Sequence, residues 1–147
     1  MRKATRLSLI LGSLAGLCLS TPTVSLAEGD FDGTKPLLCA VAGVNECDVV
    51  AGCQKVSAES VGVPRLLKVD LGAGTIATSG ADGRTSAIEN QQHVDGKLII
   101  QGIEDGVEGE RDGIGWSIAI TKDAGYMVAS ASGDDVGFVI FGACSTP

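Results

Sequence analysis

Residues 114–143 read IGWSIAITKDAGYMVASASGDDVGFVIFGA and contain three short apolar runs separated by two turns. In the first run, apolar residues occupy every second position from Ile114 to Ile120, which is the pattern of a half-buried β-strand. The intervening segments 122–125 (KDAG) and 133–135 (GDD) are rich in residues that favour turns. This stretch therefore predicts three consecutive antiparallel strands.

The same alternation continues upstream, where further strands are predicted over residues 65–71, 75–79, 85–93 and 97–103. Asp95 and Gly96 separate the last two and are typical of a hairpin turn, because both positions tolerate a positive φ. Seven or eight short strands with no helix of normal length predict an all-β antiparallel meander. We expect a small lipocalin-like barrel, with a β-sandwich as the alternative.

The N-terminus has the three parts of a secretory signal peptide. Arg2, Lys3 and Arg6 give a positive charge, and residues 7–19 form an apolar run shorter than the roughly 20 residues of a membrane-spanning helix. Ser25 and Ala27 then supply the small residues of a cleavage site. The sequence predicts a signal peptide over residues 1–27 and a periplasmic or secreted mature protein.

Two parts are predicted after the signal peptide. Residues 28–54 carry three cysteines and show no clean period, so we expect a loop segment packed on the barrel with at most one helical turn. Residues 55–147 are predicted to form the antiparallel β domain. No apolar run after residue 27 is long enough for a membrane span.

The charge of the chain is acidic. The full chain has a formal net charge of −7 at pH 7. Without the three basic residues of the signal peptide, 8 Lys and Arg face 18 Asp and Glu, which is a net charge of −10. This field repels nucleic acids and anionic lipid surfaces, so neither is an expected partner.

Four cysteines remain after the signal peptide: Cys39, Cys47, Cys53 and Cys144. An even number in a small exported domain predicts two disulfides, for which three pairings exist. We favour Cys47–Cys53, which closes a local loop, and Cys39–Cys144, which ties the two ends of the domain together. The close C-x-x-C pairs that are typical of zinc sites are absent.

Catalytic motifs are lacking. His93 is the one histidine and lies beside the Asp95-Gly96 turn, where an exposed position is expected. The G-x-S-x-G motif of serine hydrolases does not occur, and cysteines held in disulfides cannot act as nucleophiles. A hydrolase is therefore the weakest of the functional hypotheses.

Binding is the leading hypothesis. Four aromatic residues, Trp116, Tyr126, Phe138 and Phe141, are predicted to line the mouth of an apolar cavity. Such a cavity would take a small apolar or amphipathic molecule, and a protein partner on a sheet face is the other candidate. A packed interior without any ligand accounts for the same residues.

The loop over residues 104–113 (EDGVEGERDG) suggests a calcium-binding or structural envelope protein as an alternative. Calcium prefers several oxygen ligands on a flexible segment that contains glycine. The candidate ligands are Asp105, Glu108, Glu110 and Asp112. A solvated loop between two strands is the simpler interpretation of the same residues.

Residues 31–40 (FDGTKPLLCA), 101–102 (QG), 115–117 (GWS) and 137–144 (GFVIFGAC) resemble those of a family of small exported proteobacterial proteins. The resemblance covers nearly the whole predicted mature domain. It implies a periplasmic location and brings no activity with it.

Overall fold

The computed structural model describes residues 30–79, 83–106 and 113–147. Over these residues, ten strands form one antiparallel sheet, and a single 3-10 turn spans Glu59–Val61. The strands are β1 (Leu37–Asp48), β2 (Gly52–Val56), β3 (Leu66–Asp70), β4 (Thr75–Thr78), β5 (Thr85–Ala87), β6 (Asn90–Val94), β7 (Lys97–Glu104), β8 (Ile114–Thr121), β9 (Tyr126–Ser132) and β10 (Val136–Ser145). The predicted all-β antiparallel class is confirmed. The predicted signal peptide lies outside the described residues.

The sheet curls so that its two ends meet. Its strand order is β5-β4-β3-β1-β10-β9-β8-β7-β6, and β2 pairs with β1 beside this path. The end strands β5 and β6 are joined only by Ile88 and Glu89. The Ile88 N–H donates to the Gly74 carbonyl at 2.8 Å, whereas the Glu89 N–H donates to the Gln101 carbonyl at 2.9 Å. One extended segment thus bridges both ends of the sheet, which makes the fold barrel-like.

Gly102 permits this close approach of the two ends. A Cβ at this position would overlap both the Ala87 carbonyl oxygen at the end of β5 and the ring of Trp116 on β8. Since only glycine lacks that atom, a side chain here would push β5 away from β7 or displace the indole ring.

Strand β1 lies within residues 28–54, for which a loop segment was predicted. The prediction failed because β1 contains a bulge at Ala42, where the register with β10 shifts. Leu37 and Cys39 are buried before the bulge and Val44 is buried after it, so the inward-facing positions change from odd to even numbers. Because of this change of phase, the sequence of β1 shows no continuous alternation of inward and outward residues.

Both predicted disulfides are confirmed. Cys39–Cys144 joins directly opposed residues of β1 and β10, and Cys47–Cys53 joins β1 to β2 across their hairpin. The pairs are 105 and 6 residues apart in sequence. Two disulfides are consistent with an oxidising extracellular or periplasmic compartment. No helix within the described ranges is long and apolar enough to cross a membrane.

One half of the interior, called here the closed half, is filled by large side chains. Its residues are all less than 2% exposed: Leu37, Cys39, Val69, Leu98, Ile100, Ile120 and Met127. A strap over residues 30–36 covers this end. The Phe31 N–H donates to the Lys122 carbonyl at 3.1 Å, and the Phe31 ring lies against Gly125, which has a φ of 67°. The strap excludes water from the closed half.

Candidate functional site: an apolar cavity in the open half

The other half of the interior, the open half, contains a cavity of about 140 Å³. It lies between the inner faces of β3 to β5 on one side and of β8 to β10 on the other. Its apolar lining consists of Leu67, Ile76, Ile114, Trp116, Ile118, Ala129, Ala131, Phe138 and Ile140. Three residues of the lining are exposed, Gly62, Arg84 and Ser130, and the cavity reaches solvent beside Gly62 and Arg84.

Small residues on β9 create this space. Met127, Ala129 and Ala131 occupy successive inward positions of the strand, and Met127 is 1% exposed in the closed half. Ala129 and Ala131 are shorter than Met127, so the volume that a longer side chain would fill at their positions stays empty. In the register, Ala131 lies opposite Trp116 on β8 and opposite Phe138 on β10. Two half-buried aromatic side chains therefore flank the smallest part of the wall.

The four predicted aromatic residues separate into two pairs. Trp116 and Phe138 line the cavity. Tyr126 and Phe141 are 66% and 45% exposed and do not line it. They lie on the outer face because side chains alternate along a strand and their neighbours Met127 and Ile140 point inward. The structure thus brings together only half of the predicted aromatic set.

The mouth of the cavity carries an ion pair. Arg84 Nη1 lies 2.6 Å from Glu104 Oε1 on β7, and Arg84 Nη2 donates to the Gly62 carbonyl at 3.5 Å. Thr78 holds the backbone of Arg84 through two hydrogen bonds. The Arg84 N–H donates to the Thr78 hydroxyl at 2.8 Å, and the Arg84 carbonyl accepts from the Thr78 N–H at 2.9 Å. The arginine is therefore anchored on one side of the mouth and reaches across it.

The loop between β2 and β3 forms the rest of the rim. Val61, Val63 and Pro64 line the cavity from this loop. Glu59 starts the 3-10 turn and pairs with Arg65, the last residue of the loop. The Glu59 backbone N–H and the Arg65 guanidinium hold the pKa of this carboxyl below its usual value. Both side chains are well exposed, so the pair fixes the loop only weakly.

A second exposed apolar feature lies at the β1–β2 hairpin. Val49 and Val50 at its tip are 91% and 92% exposed. The N–H groups of Val50 and Ala51 donate to the Asp48 carboxylate at 2.7 and 2.6 Å, and they lower the pKa of Asp48. The Cys47–Cys53 disulfide closes the hairpin behind the tip. The tip is thus an apolar surface held in one conformation.

The predicted metal ligands fall mostly outside the described residues. Glu108, Glu110 and Asp112 lie there, and Asp105 is exposed after the end of β7. Within the part of the chain that the structure describes, no group of three or more His, Cys, Asp or Glu side chains is placed to hold a metal ion. His93 is exposed on edge strand β6, where it pairs in register with Leu98.

Several cavity residues were not anticipated from the sequence. Arg84 and Glu104 meet only because the ends of the sheet come together, so no local pattern could pair them. Ala129 and Ala131 carried a usable signal, since they share the inward phase of Met127. Successive small residues on the inner face of a strand indicate missing volume in the interior.

Comparisons with known proteins returned no similar family model, curated protein or solved structure. The resemblance to small exported proteins therefore stays a prediction, and any function rests on the geometry of this chain.

Proposed function

We propose that this chain is an exported, non-enzymatic binding domain that takes a small apolar or amphipathic molecule into the open half of its interior. The observation that carries the proposal is the apolar cavity of about 140 Å³ that reaches solvent beside Arg84. Small barrels of the lipocalin type hold one small ligand in their interiors.

The volume limits the size of the ligand. A cavity of about 150 Å³ lined by Leu, Ile and Phe binds benzene, whereas pockets for drug-sized molecules measure about 300–1,000 Å³. The cavity of this chain is close to the first value. Its occupant therefore has an apolar part of about six carbon atoms, as a ring or a short chain, and any further part of the ligand lies outside the mouth.

Trp116 provides a direct test, because it is the one tryptophan of the chain and lines the cavity. We expect toluene to change its fluorescence in a saturable way. Ala129→Leu fills the cavity and should abolish the change. The matched control is Ala119→Leu, which adds the same atoms on the outer face of β8 and should leave the response intact.

Thermal unfolding with and without toluene gives an independent readout. A ligand that binds only the folded state raises the melting temperature. If neither fluorescence nor melting responds to toluene in the unmodified protein, the proposal is wrong. If the two alanine variants respond alike, the ligand binds outside the cavity.

Docking of a protein partner is the second candidate, favoured by the exposed tip at Val49 and Val50. A rigid apolar tip suits insertion into a pocket of another protein, because its conformation is already ordered before binding. A photo-crosslinking residue at Val49 should give one discrete protein adduct in producing cells. The control position is Ala73, exposed in the turn between β3 and β4, and adducts of equal yield there would contradict this function.

A further inference from the structure

The guanidinium of Arg84 extends across the cavity mouth. It contacts Glu104 on β7 on one side and the Gly62 carbonyl of the β2–β3 loop on the other, and all three residues line the cavity. The Arg84 side chain is 58% exposed. A molecule that enters the cavity past Gly62 therefore meets the guanidinium at the point where its apolar part leaves water.

The lining offers little other polar chemistry. Among the described residues that line the cavity, Arg84 is the single cation and Glu104 the single anion, and the remaining polar groups are hydroxyls and the indole N–H of Trp116. A guanidinium has several N–H donors, and the two contacts described above leave others available. An arginine suits an anion at the edge of an apolar site, because its charge is delocalised and weakly hydrated.

From this arrangement we infer that the preferred ligand is a small monocarboxylate, aliphatic or aromatic. Its carboxylate binds Arg84, and its apolar part lies against Trp116 and Phe138. The inference rests on the proposed function and adds the chemical class of the ligand. The carboxylate either shares the guanidinium with Glu104 or replaces it, at little cost because an exposed ion pair contributes little stability.

An amine is the competing class of ligand, but the lower exposure of the Glu104 carboxylate argues against it. The Glu104 side chain is 31% exposed, against 58% for Arg84, so the carboxylate is the less accessible member of the pair. An ammonium group at Glu104 would also face the guanidinium, which lies only 2.6 Å away. The net charge, −7 for the full chain and −10 without the predicted signal peptide, opposes any anion at long range, but salt at about 0.15 M screens charges beyond roughly 8 Å.

Three ligands with one chain length and different head groups test the inference: hexanoate, 1-hexanol and hexylamine. We expect hexanoate to bind most tightly in calorimetric titrations at about 0.15 M salt. Arg84→Met should weaken hexanoate by about tenfold and leave hexanol unchanged. Glu104→Gln should tighten hexanoate, since it removes the competing carboxylate. Arg65→Met is the matched control, because Arg65 also pairs with a glutamate but does not line the cavity.

The outcomes distinguish a failure of the carboxylate inference from a failure of cavity binding itself. Equal affinities for hexanol and hexanoate, or a hexanoate preference that survives Arg84→Met, would overturn the carboxylate inference while leaving cavity binding intact. Tighter binding of hexylamine that is lost in Glu104→Gln would assign the site to cations instead. If none of the three ligands nor toluene binds, the proposed function itself fails. The Arg84→Met protein is checked by its melting curve.

Discussion

The closed and open halves of the interior are built from the same strands and yet are filled differently. On β7, Leu98 and Ile100 fill the closed half, and Gly102 follows them at the next inward position. On β9, Met127 is followed inward by Ala129 and Ala131. The alternation of inward and outward residues is the same in both halves, so side-chain volume alone separates a packed core from a cavity. The packed closed half stabilises the fold, so the open half can retain an unfilled cavity.

The largest loss of stability is expected from removing the Cys39–Cys144 disulfide of the closed half. Replacing Cys39 and Cys144 by alanine removes a link between residues 105 positions apart, and it should lower the free energy of unfolding by up to about 5 kcal/mol. The same change at Cys47 and Cys53, only 6 positions apart, should cost about 2 kcal/mol. Urea unfolding of both double variants measures the difference. Equal losses would contradict the expected dependence of disulfide stabilisation on the length of the closed loop.

A substitution at Gly102, at the boundary between the closed and open halves, is expected to cause a smaller and more local loss of stability. Gly102→Ala places a methyl group where the Ala87 carbonyl and the Trp116 ring already lie. We expect a loss of about 1–3 kcal/mol and a shifted tryptophan emission. Gly115→Ala is the control, since no atom lies within 4 Å of a Cβ there. Comparable melting temperatures for the two variants would contradict the close approach of β5 to β7.

Most of the strands follow from local pattern alone. Alternation predicted β3, β4 and β7 to β10, and the Asp95-Gly96 turn has the positive φ values of 48° and 71° that its residues suggest. Cysteine spacing also suggested the correct pairing. These features depend on neighbours in sequence or on one long-range link, so a pattern is enough to detect them.

The volume and the mouth of the cavity could not be predicted in the same way. Its volume depends on which strands face each other across the interior, and its mouth depends on the meeting of Arg84 with Glu104. The bulge at Ala42 hid β1, the strand that β10, β2 and β3 all pair with. Trp116 and Phe138 were recognised because aromatic residues are rare in this chain. Tyr126 and Phe141 lie on the outer face, because they occupy outward positions of β9 and β10.

Calcium tests the alternative hypothesis for the loop over residues 104–113. If the loop over residues 104–113 binds calcium, excess calcium should raise the melting temperature, by an amount equivalent to about 1.4 kcal/mol at ten times the dissociation constant. Replacing Asp105, Glu108 and Asp112 by their amides should remove this shift. A melting temperature that is insensitive to calcium would leave the loop as solvated chain and the cavity as the only proposed ligand site.

The smallest expected effect lies outside both halves, at the β1–β2 hairpin. The N–H groups of Ala51 and Val50 hold the folded-state pKa of Asp48 below its unfolded value of about 3.9. A lowered pKa means that the contribution of the carboxylate is fully present above the unfolded pKa and is lost as pH falls through the folded pKa. Asp48→Ala should therefore be slightly less stable than the unmodified protein near neutral pH.

That difference should shrink as the pH falls below about 4, since protonation removes the same interaction from the unmodified protein. Melting curves at several pH values measure it, and Asp123→Ala, at an exposed aspartate in the turn between β8 and β9, is the control. Because Asp48 does not line the cavity, the toluene response of Trp116 should stay unchanged in its variant. A changed response would mean that the hairpin and the open half are coupled, and the tip and the cavity would then have to be treated as one site.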